Sequence, residues 1–276
     1  MTTTATSLAA SCHPGPCVAV TVFTTVLSAV AGASPAMCVL VTAAVLAGQL
    51  SIGWSNDRID ARRDAQVGRT DKPVARGDVS IRTTDVAVSI SLAAMVGLSF
   101  GVGWRFALVH LAAVGCGWAY NVGVKATLMS WLPYAVAFGA LPVLATLAQP
   151  TPRVAGWWAI IGAGCLGVAA HLANVLPDLD DDAQTGVRGL PHRLGARGSL
   201  AVAAALLGAA TALITLAAPG GRRPFDVVAL AVVIAVIALA LPGRLRRPAT
   251  SSTFIAIMAM AAVDLVLLAT AKNHLR

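Results

Sequence analysis

The chain has 276 residues, of which 57% are apolar and only 12% charged, and its mean hydropathy is +0.78. A water-soluble domain of this size does not carry such a composition, so the sequence predicts an integral membrane protein. The apolar segments are long and continuous, which favours spanning helices and excludes the alternating strands of a β-barrel. The net charge of +8 is typical of a membrane protein whose basic residues set its orientation and attract anionic lipid or substrate. Nothing in the sequence supports nucleic-acid binding.

Nine apolar segments, separated by charged or Gly- and Pro-rich breaks, predict an all-α, polytopic fold with nine transmembrane helices in one domain, 1–276. The predicted spans are 17–33, 35–54, 85–101, 104–120, 128–148, 154–173, 199–218, 225–242 and 251–270. We expect the second and sixth helices to continue beyond their apolar parts into 56–64 and 174–182. Loops 55–84 and 174–198 would then carry the polar residues of a site.

The charged residues are distributed unevenly. Fourteen of the twenty basic residues lie in the loops after helices 2, 4, 6 and 8, which the positive-inside rule assigns to the cytoplasm. All twelve acidic residues are aspartates, and ten of them lie in two stretches, 57–85 and 178–182. These stretches follow helices that are four crossings apart. They therefore return to the same membrane face and can form one site.

The aspartates also have a helical spacing. Asn56, Asp60 and Asp64 are four residues apart and share one helix face, and Asp178 and Asp182 repeat the interval. Like-charged carboxylates at this spacing repel each other, so a bound cation is the natural compensation. Oxygen ligands without cysteine favour Mg²⁺, which completes its coordination with water and substrate phosphates. The pattern predicts Mg²⁺ ions that bind a diphosphate.

Four segments resemble the UbiA-type intramembrane prenyltransferases. Residues 56–64 resemble their NDxxDxxxD motif, and 69–77 resemble the R/K-P-x-x-x-G loop that follows it. Residues 178–182, with Gly186 and the later pair Leu194-Gly195, resemble their second aspartate motif. Tyr120 and Lys125 resemble a Tyr-x-x-x-Lys element, with one additional residue between them.

This resemblance implies a helical bundle around a cavity that opens to lipid, with an isoprenyl diphosphate bound head-first to Mg²⁺. The implied Mg²⁺ ligands are the polar residues of the two aspartate motifs, Asn56, Asp60, Asp64, Asp178 and Asp182. The implied diphosphate contacts are basic residues on the same side, Arg69, Lys72, Arg76 and Lys125. Tyr120 would lie near the allylic carbon, where an aromatic ring can stabilise a carbocation.

His171 and Asn174 precede Asp178 on the face predicted for it. They are candidates to orient a lipophilic acceptor, aromatic or lipid, or to take its proton. His171 equally fits a second interpretation, as a hydrogen-bonded polar residue between helices.

Three functions remain open at this point. The first is Mg²⁺-dependent prenyl transfer to a lipophilic acceptor, and the second is a terpene cyclase of the same UbiA type that needs no acceptor. The third is a cation-coupled transporter, because acids within membrane helices also mark ion paths. A transporter favours acids at mid-membrane depth, whereas these aspartates lie at one face beside basic residues.

We predict that both aspartate motifs face the cytoplasm and that the C-terminus lies on the opposite side. The reason is the excess of basic residues in the even-numbered loops. Reporter fusions after Arg76, Arg193 and Arg276 check this topology. Signals from opposite faces for the first two fusions would contradict a shared site.

Overall fold

In the computed structural model, which describes residues 4–219 and short stretches within 227–235 and 261–270, every regular element is a helix. The helices are α1 (Thr4–Ala10), α2 (Pro14–Ala31), α3 (Pro35–Gln66), α4 (Pro73–Arg76), α5 (Ile81–Val102), α6 (Trp104–Val122), α7 (Leu132–Leu147), α8 (Trp157–Val175), α9 (Leu179–Gln184) and α10 (Leu190–Leu216). Short 3₁₀ helices at Val124–Ala126, Leu128–Trp131 and Leu176–Asp178 lie in the connections. The predicted all-α fold is confirmed.

Each of the first seven predicted spans overlaps one helix. Six segments of the described chain are long and apolar enough to cross a bilayer, namely Pro14–Ala31, Pro35–Gln66, Ile81–Val102, Leu128–Leu147, Trp157–Asp178 and Leu190–Leu216. The fourth predicted span corresponds to α6, which is outside that set. The predicted spans 225–242 and 251–270 lie largely outside the described residues, so the count of nine stays a prediction.

Helix α3 carries the first aspartate motif beyond the apolar layer. It begins after Ser34, whose side chain accepts a hydrogen bond from the Met37 amide at 3.2 Å, and Pro35 occupies its first turn. Its 32 residues extend about 48 Å, compared with a hydrocarbon core of about 30 Å. The predicted continuation of this helix through residues 56–64 is confirmed.

The corresponding prediction for the second motif is confirmed only in part, because the chain stays helical through 174–182 but not as one continuous α-helix. Helix α8 ends at Val175 and is followed by the 3₁₀ turn Leu176–Asp178 and the separate helix α9. The physical reason is Pro177, which lacks the backbone N–H that an α-helix needs at this position, although Leu176 before it keeps right-handed helical geometry. Asp178 and Asp182 therefore lie on two different elements.

The helices pack as a bundle in which α3 contacts α2, α5 and α6, α7 contacts α6 and α8, and α8 contacts α10. Helices α7 and α8 approach closely at small residues, as is common for helices in lipid. A Cβ atom added to Gly167 would lie 2.4 Å from the Tyr134 carbonyl oxygen and 2.6 Å from the Phe138 Cβ. This contact places Tyr134 of α7 next to the end of α8 that leads to the second motif.

We predict that Gly167→Val lowers the free energy of unfolding by about 1–3 kcal/mol, because the added carbons have to push α7 away from α8. Thermal unfolding in detergent measures the loss. Gly115→Val is the matched control, since a Cβ at Gly115 meets nothing within 4 Å. Equal unfolding midpoints for the two variants would contradict the close helix contact.

Candidate active site

The first motif forms a buried acidic face at the end of α3. Asp60 and Asp64 are only 6% and 5% exposed, and both are directed toward other charged groups. The Asp60 carboxylate accepts hydrogen bonds from Lys125 Nζ at 2.7 and 2.5 Å and from Asn56 Nδ2 at 3.2 Å. Lys125 lies in the 3₁₀ turn after α6. The additional residue in the Tyr120–Lys125 segment therefore does not direct the lysine away from the first motif.

Arg63 connects the two aspartate motifs. Its Nη2 lies 3.1 Å from Asp60 Oδ2 and 3.9 Å from Asp182 Oδ1, and its Nε lies 3.8 Å from Asp64 Oδ1. Arg69 makes a second connection by donating to Asp178 Oδ1 at 3.1 Å. The two motifs thus meet at one end of the bundle. Arg63 was not among the residues predicted for the site, although its position three residues after Asp60 was a signal for an ion pair.

Burial and charge act against each other in this cluster. Burial raises the pKa of Asp182, the nearby Arg63 guanidinium lowers it, and Asp178 raises it further. Burial lowers the pKa of Lys125, whereas its contact with Asp60 raises it. Each charge is therefore tolerated because opposite charges lie next to it.

The chemistry of these side chains fits a hard divalent cation. Carboxylate oxygens of Asp60, Asp64 and Asp182 share one guanidinium partner, and no thiol takes part in that contact. No group of three His, Cys, Asp or Glu side chains in the described part of the chain is arranged to hold a metal ion. The carboxylates instead form ion pairs with lysine and arginine side chains. Oxygen donors of this kind suit Mg²⁺ together with phosphate.

Lys72 has partners that the sequence analysis did not anticipate. Its Nζ donates to Asp57 Oδ1 at 2.8 Å and lies 2.9 Å from His13 Nε2, which is itself 3.1 Å from Asp57. Asp57 is 2% exposed and, three residues before Asp60 and seven before Asp64 on α3, lies on the same side of the helix as these two carboxylates. Arg76 donates to the Thr70 carbonyl at 2.7 Å and pairs with Asp78 within the loop.

A compact aromatic and polar cluster lies beside the acidic one. The Tyr120 ring is 5.5 Å from the His171 ring and 5.2 Å from the Tyr134 ring. His171 is 1% exposed, and its Nε2 is 3.0 Å from Ser130 Oγ. Its Nδ1 is buried and has no hydrogen-bond partner among the described residues. One ring nitrogen is thus bonded to Ser130, and the other is a buried polar atom without a partner among the described residues.

Asn174 differs from His171 in its surroundings. It is exposed, whereas His171 is buried one turn earlier on α8. The helix break before Asp178 separates both residues from the straight face that the sequence predicted. The structure brings His171 together with Tyr120, and Asn174 remains at the surface.

Comparison with known proteins identifies relatives of the chain. A model of the UbiA prenyltransferase family matches residues 17–263. A 4-hydroxybenzoate octaprenyltransferase from Yersinia enterocolitica is 25% identical over 164 residues, which are 58% of this chain and 57% of that protein. The match therefore spans little more than half the length of this relative.

The fold is similar to solved structures of UbiA homologues. A homologue from Archaeoglobus fulgidus bound to GPP and Mg²⁺ has a TM-score of 0.72 and 16% identity, covering 97% of this chain and 99% of that one. An apo homologue from Aeropyrum pernix K1 has a TM-score of 0.70 and 18% identity, covering 97% and 98%. A digeranylgeranylglyceryl phosphate synthase has a TM-score of 0.72 and 14% identity, covering 98% and 99%.

We predict that Arg63→Leu lowers the free energy of unfolding by about 1–3 kcal/mol in EDTA, because buried carboxylates lose a charged partner. Saturating Mg²⁺ should restore part of the loss. Thermal unfolding with and without Mg²⁺ measures both effects. The control is Arg58→Leu, since Arg58 pairs with Asp85 where both side chains are largely exposed. Equal losses in the two variants would contradict the bridging role of Arg63.

Proposed function

The chain belongs to the UbiA prenyltransferase family and is an integral, multi-pass membrane protein, and from this premise we propose that it transfers a prenyl group from an isoprenyl diphosphate to a lipophilic acceptor. The reaction would depend on Mg²⁺. The observation that carries the proposal is the meeting of both aspartate motifs around Arg63, next to Lys125. Buried carboxylates and cations at one end of an apolar bundle suit a substrate with a charged head and an apolar tail.

The substrates of the relatives support this proposed chemistry. The Archaeoglobus fulgidus homologue binds GPP with Mg²⁺ and also DMAPP with Mg²⁺. The Yersinia relative is named for prenylation of 4-hydroxybenzoate. For the present chain we propose the same class of donor, an isoprenyl diphosphate, and an acceptor that is lipophilic.

The residues of the two motifs would hold Mg²⁺ through Asn56, Asp60, Asp64, Asp178 and Asp182. The bound ion supplies charge neutralisation for the diphosphate as the C1–O bond breaks. Lys125 donates hydrogen bonds from Nζ, so it can stabilise negative charge on the leaving oxygens where water is scarce. Arg69, which contacts Asp178, and Lys72 and Arg76 in the same loop would add positive charge on the side of the bundle that carries both motifs.

The aromatic cluster would serve the organic part of the reaction. Breaking the C1–O bond leaves an allylic cation, and the ring of Tyr120 can stabilise it through a cation–π contact of about 0.5–2 kcal/mol. The new bond forms between C1 and the acceptor, which must then lose a proton. His171 Nδ1 is buried without a partner beside Tyr120, so it is placed to accept that proton or to orient the acceptor. Asn174 would act closer to the surface.

We predict that Asp60→Ala or Asp178→Ala lowers turnover of a prenyl diphosphate by about 100-fold or more, because each change removes an oxygen that holds Mg²⁺ against the leaving group. Turnover at saturating Mg²⁺ in detergent is the measurement. Asp85→Ala, at the exposed pair with Arg58, is the matched control and should retain activity. Retention of most activity in both site variants would move the metal site elsewhere.

We predict that His171→Ala lowers formation of the prenylated product while slow, Mg²⁺-dependent hydrolysis of the diphosphate continues, since C1–O cleavage depends on other residues. Product analysis with and without acceptor, over prenyl diphosphates of graded length, measures both reactions. A cyclic terpene formed in quantity by the wild-type protein without acceptor would instead establish the cyclase. Unchanged transfer in His171→Ala would assign the histidine a structural role through Ser130.

A further inference from the structure

Asn121 is a buried polar residue outside the candidate set that contacts the first motif. It follows Tyr120 at the end of α6 and is 3% exposed. Its Nδ2 lies 2.9 Å from the Ile52 carbonyl oxygen and 2.9 Å from Ser55 Oγ, both on α3. Its Oδ1 lies 3.2 Å from Nδ2 of Asn56. The side chain thus connects α6 to the residue that opens the motif.

The hydrogen bonds determine which way both amides point. A backbone carbonyl only accepts, so the Asn121 atom that faces Ile52 must be its NH₂ group. The Asn121 oxygen then faces Asn56, which has to present its own NH₂ group in return. The second hydrogen of that group is directed to Asp60 Oδ2, at 3.2 Å. Among the described residues, no group donates to Asn56 Oδ1.

We propose that Asn121 is a positioning residue that turns the amide oxygen of Asn56 toward a bound divalent cation. An asparagine amide can rotate by a half turn, and the rotated form would present two N–H hydrogens to the metal. Asn121 and Asp60 together oppose that rotation, because the oxygens of both accept only from the NH₂ group of Asn56; Asp60 is itself a proposed metal ligand, which leaves Asn121 as the partner that acts on the amide alone. The inference rests on the proposed function, since it assumes that Asn56 is a Mg²⁺ ligand.

Removal of Asn121 leaves few other groups without partners. Ser55 Oγ still donates to the Ile52 carbonyl, at 2.9 Å. Asn121→Leu therefore keeps the approximate volume of the side chain and chiefly deletes the contact with Asn56. Asn121→Ala is the smaller variant. Using both keeps the test informative if the alanine variant unfolds.

The experiment measures binding of Mn²⁺ to the purified protein in detergent by electron paramagnetic resonance, with Mg²⁺ as competitor. We expect each Asn121 variant to bind Mn²⁺ about 10–100-fold more weakly, as is typical when the group that orients a metal ligand is lost. Trp118→Phe is the matched control, because it removes a bond of 3.3 Å from α6 to Ser51 of α3 without contact to Asn56. The control should bind as the wild type does.

Double variants separate positioning from a general structural effect. If Asn121 acts through Asn56, Asn56→Ala and Asn56→Ala/Asn121→Leu should have equal affinities for Mn²⁺. An additional loss in the double variant, or wild-type affinity in Asn121→Leu, would overturn the inference. Failure of the proposed metal site gives a different result, in which the wild type and Asp60→Ala bind Mn²⁺ equally.

Discussion

The site depends on keeping several carboxylates charged in a place that is largely closed to water. Asp60 and Asp64 lie on one face of α3 and are almost completely buried. Taking such groups out of water is unfavourable unless opposite charges and hydrogen bonds replace the lost hydration. Lys125 and Arg63 provide this compensation. The positions of the second motif and of the connection between α6 and α7 follow from this requirement.

The connection between α6 and α7 is held in place on both sides. Lys125 binds Asp60 on one side, and on the other Ser130 Oγ accepts a hydrogen bond from the Leu190 amide at 3.0 Å. A Cβ atom on Gly189 would lie only 2.4 Å from the Lys125 carbonyl oxygen. The start of α10 therefore packs directly against the turn that carries the lysine.

The same connection also joins the acidic and aromatic clusters. Ser130 bonds His171, whose ring packs against the rings of both Tyr120 and Tyr134. One short connection thus carries both Lys125, which contacts the charged cluster, and Ser130, which contacts the aromatic cluster. For a prenyl diphosphate this arrangement is favourable, because the charged head and the cationic carbon require different surroundings. The arrangement has no corresponding use in a cation transporter, which needs acids along the path through the membrane.

Much of the organisation was predictable from local patterns. Long apolar runs indicated the first seven helices, and the four-residue spacing from Asn56 to Asp64 indicated one acidic face, since α3 has no residue that interrupts it. The break at Pro177 was also visible in the sequence, but the acidic spacing on either side of it suggested a continuous helix. Local signals therefore conflicted there, and the outcome is a compromise: the chain stays helical, but the missing N–H of Pro177 leaves one 3₁₀ turn in place of α-helical hydrogen bonding.

The amino-acid composition and the spacing of the aspartates by themselves determined that the chain lies in a membrane. They also determined that most of its acidic residues lie on one side of that membrane and that their oxygen atoms suit a hard cation. Only the tertiary structure decided which partner each charge has. Lys72 binds Asp57 and His13, whereas Lys125 binds Asp60, and the sequence treats the two lysines alike. The contacts of Arg63 with Asp182 and of Asn121 with Asn56 were likewise recognised only in the tertiary structure. Helical periodicity places residues on a face, but the packing of one helix against another selects the atoms that meet across it.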